Sequence, residues 1–329
     1  MAITERIDNI TRIPPDFRTE TPPAPPSVKV ELTARCDFQC FFCASAFKLR
    51  KKLDMDFDFF KRLAHEMRDA GVEELGMFYL GESFLYLHLA EAIAYAKREV
   101  GFPYVFLTTN GRMAMPGKTR ACFAAGLDSL KFSFNFAGRE QCKEITGVDA
   151  FDQVVANIRA ARRMRDEVET GHRCGLYASS IEYDGEQQAK MEAAVELIAD
   201  AVDQHYWLPL YGQAGLTAGA RGTTPVAGNL GRIGALRDPL PCWSIFTEGH
   251  VTYDGKLAAC CFDHDGRFDM GDLNEKSFME AWHSAPFRAL RRANLAKDVT
   301  GTPCETCIAY RGAEAADDGG RPVNLTPAV

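Results

Sequence analysis

The sequence predicts an α/β fold: a partial (β/α)6 barrel followed by a small C-terminal domain. Three observations predict it. Between positions 28 and 211, six short apolar runs alternate with stretches of helical period. Short links between them imply parallel strands covered by crossover helices. Six strands are fewer than the eight of a closed barrel.

Residues 1–27 carry Pro14, Pro15, Pro22, Pro23, Pro25 and Pro26. Proline fixes φ and lacks an N–H, so this stretch reads as an irregular arm, neither helix nor central strand. VKVELT (28–33) reads as the first strand, and 56–70 as an amphipathic helix stopped by Gly71. LGMFYL (75–80) is a buried strand and 85–98 a helix. YVFLTT (104–109) is a strand closed by the turn pair Asn110-Gly111, and a short helix at 118–125 ends at Gly126. LKFSF (130–134), CGLYASSI (174–181) and HYWLPLY (205–211) are strands, separated by helices at 151–165 and 186–202. These elements place the barrel at 28–211 and a loop over its mouth at 212–241, where Arg221, Arg232 and Arg237 lie. The C-terminal domain occupies 242–310, and 311–329 is a tail.

The chain has 329 residues, 46% of them hydrophobic and 25% charged, which is ordinary for a globular protein of one large domain plus a smaller one. A formal charge of −7 offers no basic excess, so a nucleic-acid partner is not expected. Arg159, Arg162, Arg163 and Arg165 fall in a helical pattern and read as a solvated face. No signal peptide or membrane-spanning run is evident. Eleven cysteines in such a chain point to metal binding in a reducing cytoplasm.

Cys36, Cys40 and Cys43 follow the first strand as C-x3-C-x2-C, with Phe42 before the last. Three thiolates in one loop can hold three irons of a [4Fe–4S] cluster and leave the fourth open. Zinc is the competing reading, although it usually takes four ligands and no histidine lies near. Incidental thiols are the other. Ligands in parallel α/β folds bind at the C-terminal strand ends, which is where this loop lies.

The spacing resembles the signature of the radical S-adenosylmethionine (radical SAM) superfamily, whose fold is a partial TIM-like barrel. The resemblance implies that the open iron chelates the amino and carboxylate groups of the cofactor's methionine half. It also makes Leu80-Gly81-Glu82-Ser83 the counterpart of the superfamily's Gly-Gly-Glu motif, with Leu80 and Ser83 as departures. Gly81 then permits close backbone approach, and Glu82 accepts hydrogen bonds from the methionyl ammonium. Thr108, Thr109 and Asn110, then Ser133 and Asn135, look like the strand ends that serve the ribose and carboxylate, with Ser179 and Ser180 as candidates for the same work. Phe42 is a candidate to set its backbone against the adenine. As plain residues, each of these can equally be a polar turn or strand end.

Cys242 opens a second set. Asp254-Gly255 is a hairpin turn between HVTY (250–253) and KLAACC (256–261). Cys260, Cys261, a helix at 276–293 anchored by Trp282 and Phe287, and the C-x2-C pair Cys304 and Cys307 follow. Cys242, Cys260, Cys304 and Cys307 supply four thiolates, enough to ligate a second [4Fe–4S] cluster or a zinc ion. This half resembles the Twitch domain, the short form of the SPASM auxiliary domain, which implies one auxiliary cluster. Cys261 can replace Cys260 as ligand, be buried and inert, or donate a hydrogen atom. Cys122, Cys142 and Cys174 read as buried thiols.

The resemblance implies two [4Fe–4S] clusters, S-adenosylmethionine and an electron donor such as flavodoxin or ferredoxin. Because the Twitch branch includes a carbinol dehydrogenase of aminocyclitol antibiotic biosynthesis, the leading expectation is two-electron oxidation of a sugar- or aminocyclitol-like molecule. The alternatives are a radical epimerase with a thiol donor, a peptide-modifying enzyme, and a non-catalytic iron–sulfur or zinc module. No recognisable peptide-leader domain precedes the barrel, which ranks the peptide reading lower. Tyr211, Gln213, Asp263, His264 and Asp265 are polar candidates, and no spacing selects a general base among them.

Overall fold

The computed structural model describes residues 2–47, 49–168, 173–183, 185–208, 210, 240–264, 268–305 and 307. Helix α1 (Ile3–Ile10) precedes the first proline of the arm, and strand β1 is Ser27–Val30. The expected irregular arm is therefore corrected at its start. Residues 3–10 contain no proline, and their apolar side packs on the barrel. After β1 come α2 (Phe57–Asp69), β2 (Glu74–Gly76), α3 (Leu89–Ala94), β3 (Tyr104–Thr109), α4 (Pro116–Ala124) and β4 (Ser129–Ser133). Then follow α5 (Arg139–Thr146), α6 (Phe151–Glu167), β5 (Gly175–Ile181), α7 (Gly185–Glu196) and β6 (Gln204–Leu208).

Strands β1 to β6 pair in parallel in sequence order, as the alternation predicts. Helix α2 begins where the Asp56 carboxylate caps the Phe59 N–H at 2.8 Å and ends at Gly71, whose φ of 105° suits glycine alone. It buries Phe60, Leu63, Ala64 and Met67, the i, i+3, i+4, i+7 stripe of a core-facing helix. Helix α5 was not expected from the sequence. Its apolar content is low, and only Cys142, Ile145 and Thr146 are buried. The arginine-rich face of α6 is solvated as expected, except at Arg165. That side chain is buried, donates to the Cys174 carbonyl at 3.2 Å and pairs with Asp203.

The C-terminal region continues with α8 (Ser244–Thr247), β7 (Glu248–Val251), β8 (Leu257–Ala258), α9 (Phe278–Trp282) and α10 (Ala285–Leu295). The expected hairpin forms, with Gly255 at φ 85°, and β7 and β8 pair antiparallel. Strand β8 is shorter than the KLAACC run. The Asp263 carboxylate takes the Ala259 N–H at 2.9 Å, and the chain turns away before Cys260. The sequence pattern did not foretell that β7 pairs in parallel with β1, which extends one continuous eight-stranded sheet into the C-terminal region. The single helix expected at 276–293 is two. Ser284 caps a new start, and Pro286 sits in the first turn of α10. Trp282 and Phe287 are both fully buried, as anticipated. The proline-rich arm supplies carbonyls to these helices: Trp282 Nε1 donates to Pro23 O at 2.9 Å, and Arg291 donates to Glu20 O at 3.3 Å. Cys122, Cys142 and Cys174 are buried in the core.

Candidate active site

The loop carrying Cys36, Cys40 and Cys43 hangs from the C-terminal end of β1. It is pinned from outside by α5: the Gln39 N–H donates to Thr146 O at 2.8 Å and the Phe41 N–H to Ile145 O at 3.3 Å. Within the loop, the Cys43 N–H closes a turn on Cys40 O at 2.9 Å. Phe42 is half-buried and stands edge-on to Phe41, with ring centroids 5.3 Å apart.

Burial pushes the Cys36 thiol up to about 12, against a favourable backbone N–H from Phe38. Burial also raises Cys40, and the nearby sulfurs of Cys43 and Cys36 add to it. Burial raises Cys43 in the same way. The three sulfurs thus lie close enough for a charge on one to oppose a charge on the next. Three thiolates here require a cationic centre among them, and a cluster of iron supplies one.

Gly81 has no room for a side chain. A Cβ there would sit 1.9 Å from Thr33 O and 2.8 Å from Arg35 O. The close approach is to the chain's own backbone at the end of β1, so Gly81 locks the β2 end against the cysteine loop. Glu82 is buried beside it. Its Oε1 accepts from Thr109 Oγ1 at 2.7 Å and the Phe84 N–H at 3.1 Å, and its Oε2 accepts from the Asn110 N–H at 2.8 Å. Burial nevertheless raises this carboxyl to about 7. Asn110 Nδ2 donates to Asp37 Oδ1 at 2.8 Å and lies 3.9 Å from Cys36 Sγ. Gly81, Glu82, Asn110 and Cys36 are therefore brought together.

The other strand-end candidates divide by face. Thr108 lines the barrel lumen, whereas Thr109 points the opposite way to Glu82. Ser133 lies two residues beyond the lumen-lining Lys131, and Ser179 is its strand neighbour, so both share the lumen face. Ser180 instead faces outward. Its hydroxyl bonds the Phe134 carbonyl and lies 2.9 Å from His205 Nε2. Asn135 uses its side-chain oxygen to accept the Ile181 N–H at 3.1 Å. The lumen is a cavity of about 190 Å³ whose walls carry Lys29, Glu74, Thr108, Lys131 and Glu248. Helix α1 floors it, with Arg6 paired to Glu74 and stacked on the Tyr104 ring at 3.4 Å.

The second cysteine set is gathered by contacts that the sequence did not announce. Asn294 of α10 accepts the Cys242 N–H at 3.2 Å and points its Nδ2 at Cys304 Sγ, 3.8 Å away. The Phe262 N–H donates to Cys260 Sγ at 3.4 Å, and the Cys307 N–H to Cys304 O at 3.0 Å. Cys260 and Cys261 are in hydrogen-bond contact, and this contact, then burial, raises the Cys260 thiol well above its usual range. Asn294 could have been found as the polar residue continuing the buried stripe of Phe287, Leu290 and Arg291 at helical spacing. Tyr79, also missed, donates its hydroxyl to Cys260 O at 3.0 Å and Asp263 O at 2.9 Å. It directly precedes Leu80-Gly81-Glu82, so its place beside the motif was the available signal. Of the polar candidates, Asp263 and His264 are buried in this loop. Tyr211, Gln213, Asp265, Arg221, Arg232 and Arg237 lie outside the described residues.

Among the described residues, no three His, Cys, Asp or Glu side chains gather as the ligand sphere of a single ion. A cubane cluster ties each thiolate to a different iron, so its ligands surround a cage and not a point. Amide donors aimed at Cys36, Cys260 and Cys304 sulfur suit ligated thiolates, which accept such bonds. The residues present fit iron–sulfur clusters at both places.

Residues 30–175 match the family model of the Radical SAM superfamily, and residues 242–308 match that of the SPASM iron–sulfur cluster-binding domain. The chain thus carries a Radical SAM domain and a SPASM-type C-terminal domain. Proteins of this superfamily work with a [4Fe–4S] cluster and S-adenosylmethionine, and the residues here fit that cofactor set.

Among curated proteins it is similar to the probable GTP 3',8-cyclase of Saccharolobus solfataricus, at 31% identity over 134 residues, or 41% of this chain and 42% of that one. The corresponding protein of Metallosphaera sedula is 33% identical over 141 residues, with the same coverage. The match thus spans less than half the length of these relatives. Among solved structures, BtrN in complex with AdoMet and 2-DOIA aligns with a TM-score of 0.55 at 14% identity, covering 92% of this chain and 96% of that one. Streptococcus suis SuiB bound to precursor peptide SuiA aligns at 0.65 and 13% identity, covering 88% and 71%. Native anSMEcpe with bound AdoMet aligns at 0.59 and 11% identity, covering 82% and 84%. At these identities the likeness is one of fold. Among the described residues, no helix is long and apolar enough to cross a membrane.

Proposed function

We propose that this enzyme carries out a two-electron oxidation of a sugar- or aminocyclitol-like alcohol, converting a carbinol to a carbonyl. When bound, the first cluster with S-adenosylmethionine supplies a 5′-deoxyadenosyl radical that takes a hydrogen atom from a substrate C–H. Loss of the hydroxyl proton and one further electron would complete the carbonyl, and Cys242, Cys260, Cys304 and Cys307 would hold a cluster able to take that electron. A donor of the flavodoxin or ferredoxin class supplies the reducing electron that starts the cycle.

The observation that carries this reading is the end of strand β2. Within four residues, Tyr79 contacts the Cys260 loop and Glu82 joins Asn110 beside Cys36. In this reading the β2 end links the loop of the second cysteine set to the surroundings of the first, which supports a cluster at the second set serving as electron acceptor for the substrate radical. In this reading Cys36, Cys40 and Cys43 hold the first cluster, and Cys242, Cys260, Cys304 and Cys307 the second. Glu82 accepts from the methionyl ammonium, and Thr108, Ser133 and Ser179 present hydroxyls from the lumen face. BtrN, crystallised with AdoMet and 2-DOIA, matches this chain almost end to end, which supports a small-molecule reading.

The test is the product. Reduced enzyme supplied with S-adenosylmethionine and candidate aminocyclitols or sugars should give one 5′-deoxyadenosine per product two hydrogens lighter than the substrate. Cys261→Ala should keep turnover, because dehydrogenation needs no thiol donor. An isomeric product carrying solvent deuterium, with turnover lost in Cys261→Ala, would replace this reading with epimerisation.

A further inference from the structure

We infer that Tyr79 is a positioning residue through which occupancy of the S-adenosylmethionine site alters the redox potential of the auxiliary cluster. The inference rests on reading Cys260 as a ligand of that cluster. The Tyr79 hydroxyl has one proton and faces two carbonyls, Cys260 O at 3.0 Å and Asp263 O at 2.9 Å, so it clamps both ends of the turn that presents Cys260. The same turn is braced from inside by the Asp263 N–H on Cys260 O at 3.1 Å and by the Ala259 N–H on Asp263 Oδ2 at 2.9 Å. The ring of Tyr79 packs against His250 and His264, with centroids 5.2 and 6.4 Å away.

Tyr79 cannot shift independently of the first site. Two residues on, Gly81 lies against Thr33 O with no space for a Cβ. One residue further, the Glu82 N–H donates to Arg35 O at 2.8 Å, and its carboxylate holds the Asn110 N–H. A ligand that draws on the Glu82 carboxylate therefore acts on a stretch of backbone bonded at one end to the Cys36 loop and at the other to the Cys260 loop. Such coupling is reciprocal: what the cofactor does to the auxiliary loop, the state of that loop does to the cofactor. The sign of the local effect follows from the dipole. A hydroxyl aimed at the Cys260 carbonyl offsets negative potential beside the cluster, and hydrogen bonding around a cluster is one of the levers on its potential.

The experiment is an EPR-monitored redox titration of the anaerobically reconstituted enzyme, with and without S-adenosylmethionine. In the wild type, the auxiliary signal should titrate at a different potential when the cofactor is present. In Tyr79→Phe, the iron content should be unchanged, the auxiliary potential lower, and the cofactor-dependent shift lost. If Tyr79→Phe reconstitutes poorly, 3-fluorotyrosine placed at position 79 keeps ring and hydroxyl while strengthening the donor, and the potential should rise. Identical potentials and identical cofactor response in the wild type and these variants would overturn the inference. A Cys260→Ala variant separates the two layers. If it retains the auxiliary signal unaltered, the ligand reading itself has failed, whatever Tyr79 does.

Discussion

The first cysteine set occupies eight consecutive residues, 36–43, of one loop; the second is drawn from three stretches spread between 242 and 307. The difference sets how each is held. The first loop fixes itself with a turn from Cys43 to Cys40 and two backbone bonds to α5. The second relies on side chains reaching in from elsewhere: Asn294 from α10 joins Cys242 to Cys304, and Tyr79 from the barrel braces the Cys260 turn. In the proposed reading, compact local spacing would supply three ligands and leave an open corner, whereas long-range assembly would supply four and close the site. The two regions are nonetheless one sheet, because β7 lies directly on β1.

The largest expected effect separates the two sites outright. Reconstituted enzyme should carry about eight irons, and the Cys36, Cys40 and Cys43 triple alanine variant about four, by counting four per cluster. That variant should form no 5′-deoxyadenosine from S-adenosylmethionine. Iron analysis and chromatography of the nucleoside products check both. Loss of all iron in the variant would mean that the second site depends on the first, and zinc at the second site would remove its electron-transfer role.

A smaller effect tests whether the β2 end is the joint between them. Gly81→Ala forces a Cβ into Thr33 O, a backbone atom that cannot step aside. Overpacking of this kind costs about 3 kcal/mol. In a protein of this size that lowers Tm by roughly 4 °C in a thermal melt. Because Tyr79 is two residues away, reconstitution should suffer at both sites. A variant that melts and loads iron like the wild type would show that the two cysteine regions do not share this joint.

The barrel was legible because six apolar runs of strand length sit between helical stripes, and the parallel order β1 to β6 follows from that alternation. Both cysteine sets were legible as spacing. What escaped was set by tertiary contact. The pairing of β7 with β1 joins residues more than two hundred positions apart, and nothing local encodes it. Helix α1 was hidden by the prolines that follow it. Thr108 and Thr109 read as equivalent neighbours, and only the strand's alternation sent one to the lumen and the other to Glu82. Ser180 and Asn135 looked available for a ligand, yet each spends its oxygen on bonds within the sheet ends. Asn294 and Tyr79 carry no motif of their own, since an asparagine or tyrosine acquires meaning only from what the fold sets beside it.

The last contrast is electrostatic. The sulfurs of the second set are approached by the Asn294 amide and the Phe262 N–H, whereas the Asn110 amide beside Cys36 Sγ belongs to a residue whose N–H is bonded to the buried Glu82 carboxyl. Burial raises Glu82 from 4.5 to about 7, despite three donors that favour its ionised form. The native state therefore holds this proton more tightly than the unfolded chain does. Below about pH 4.5 both states are protonated and the native state loses nothing. As pH rises, the unfolded chain ionises first, and the native state must give up its proton against burial. Above about pH 7 the loss is complete, near 3 kcal/mol at about 1.4 kcal/mol per pH unit. Glu82→Gln removes the titration while keeping the shape. Denaturant unfolding of the iron-free proteins should show the wild type losing about 2–3 kcal/mol relative to Glu82→Gln between pH 5 and pH 8. Parallel stability curves across that window would mean that the three donors already hold the carboxylate ionised. Glu82 would then meet the methionyl ammonium as a full charge throughout.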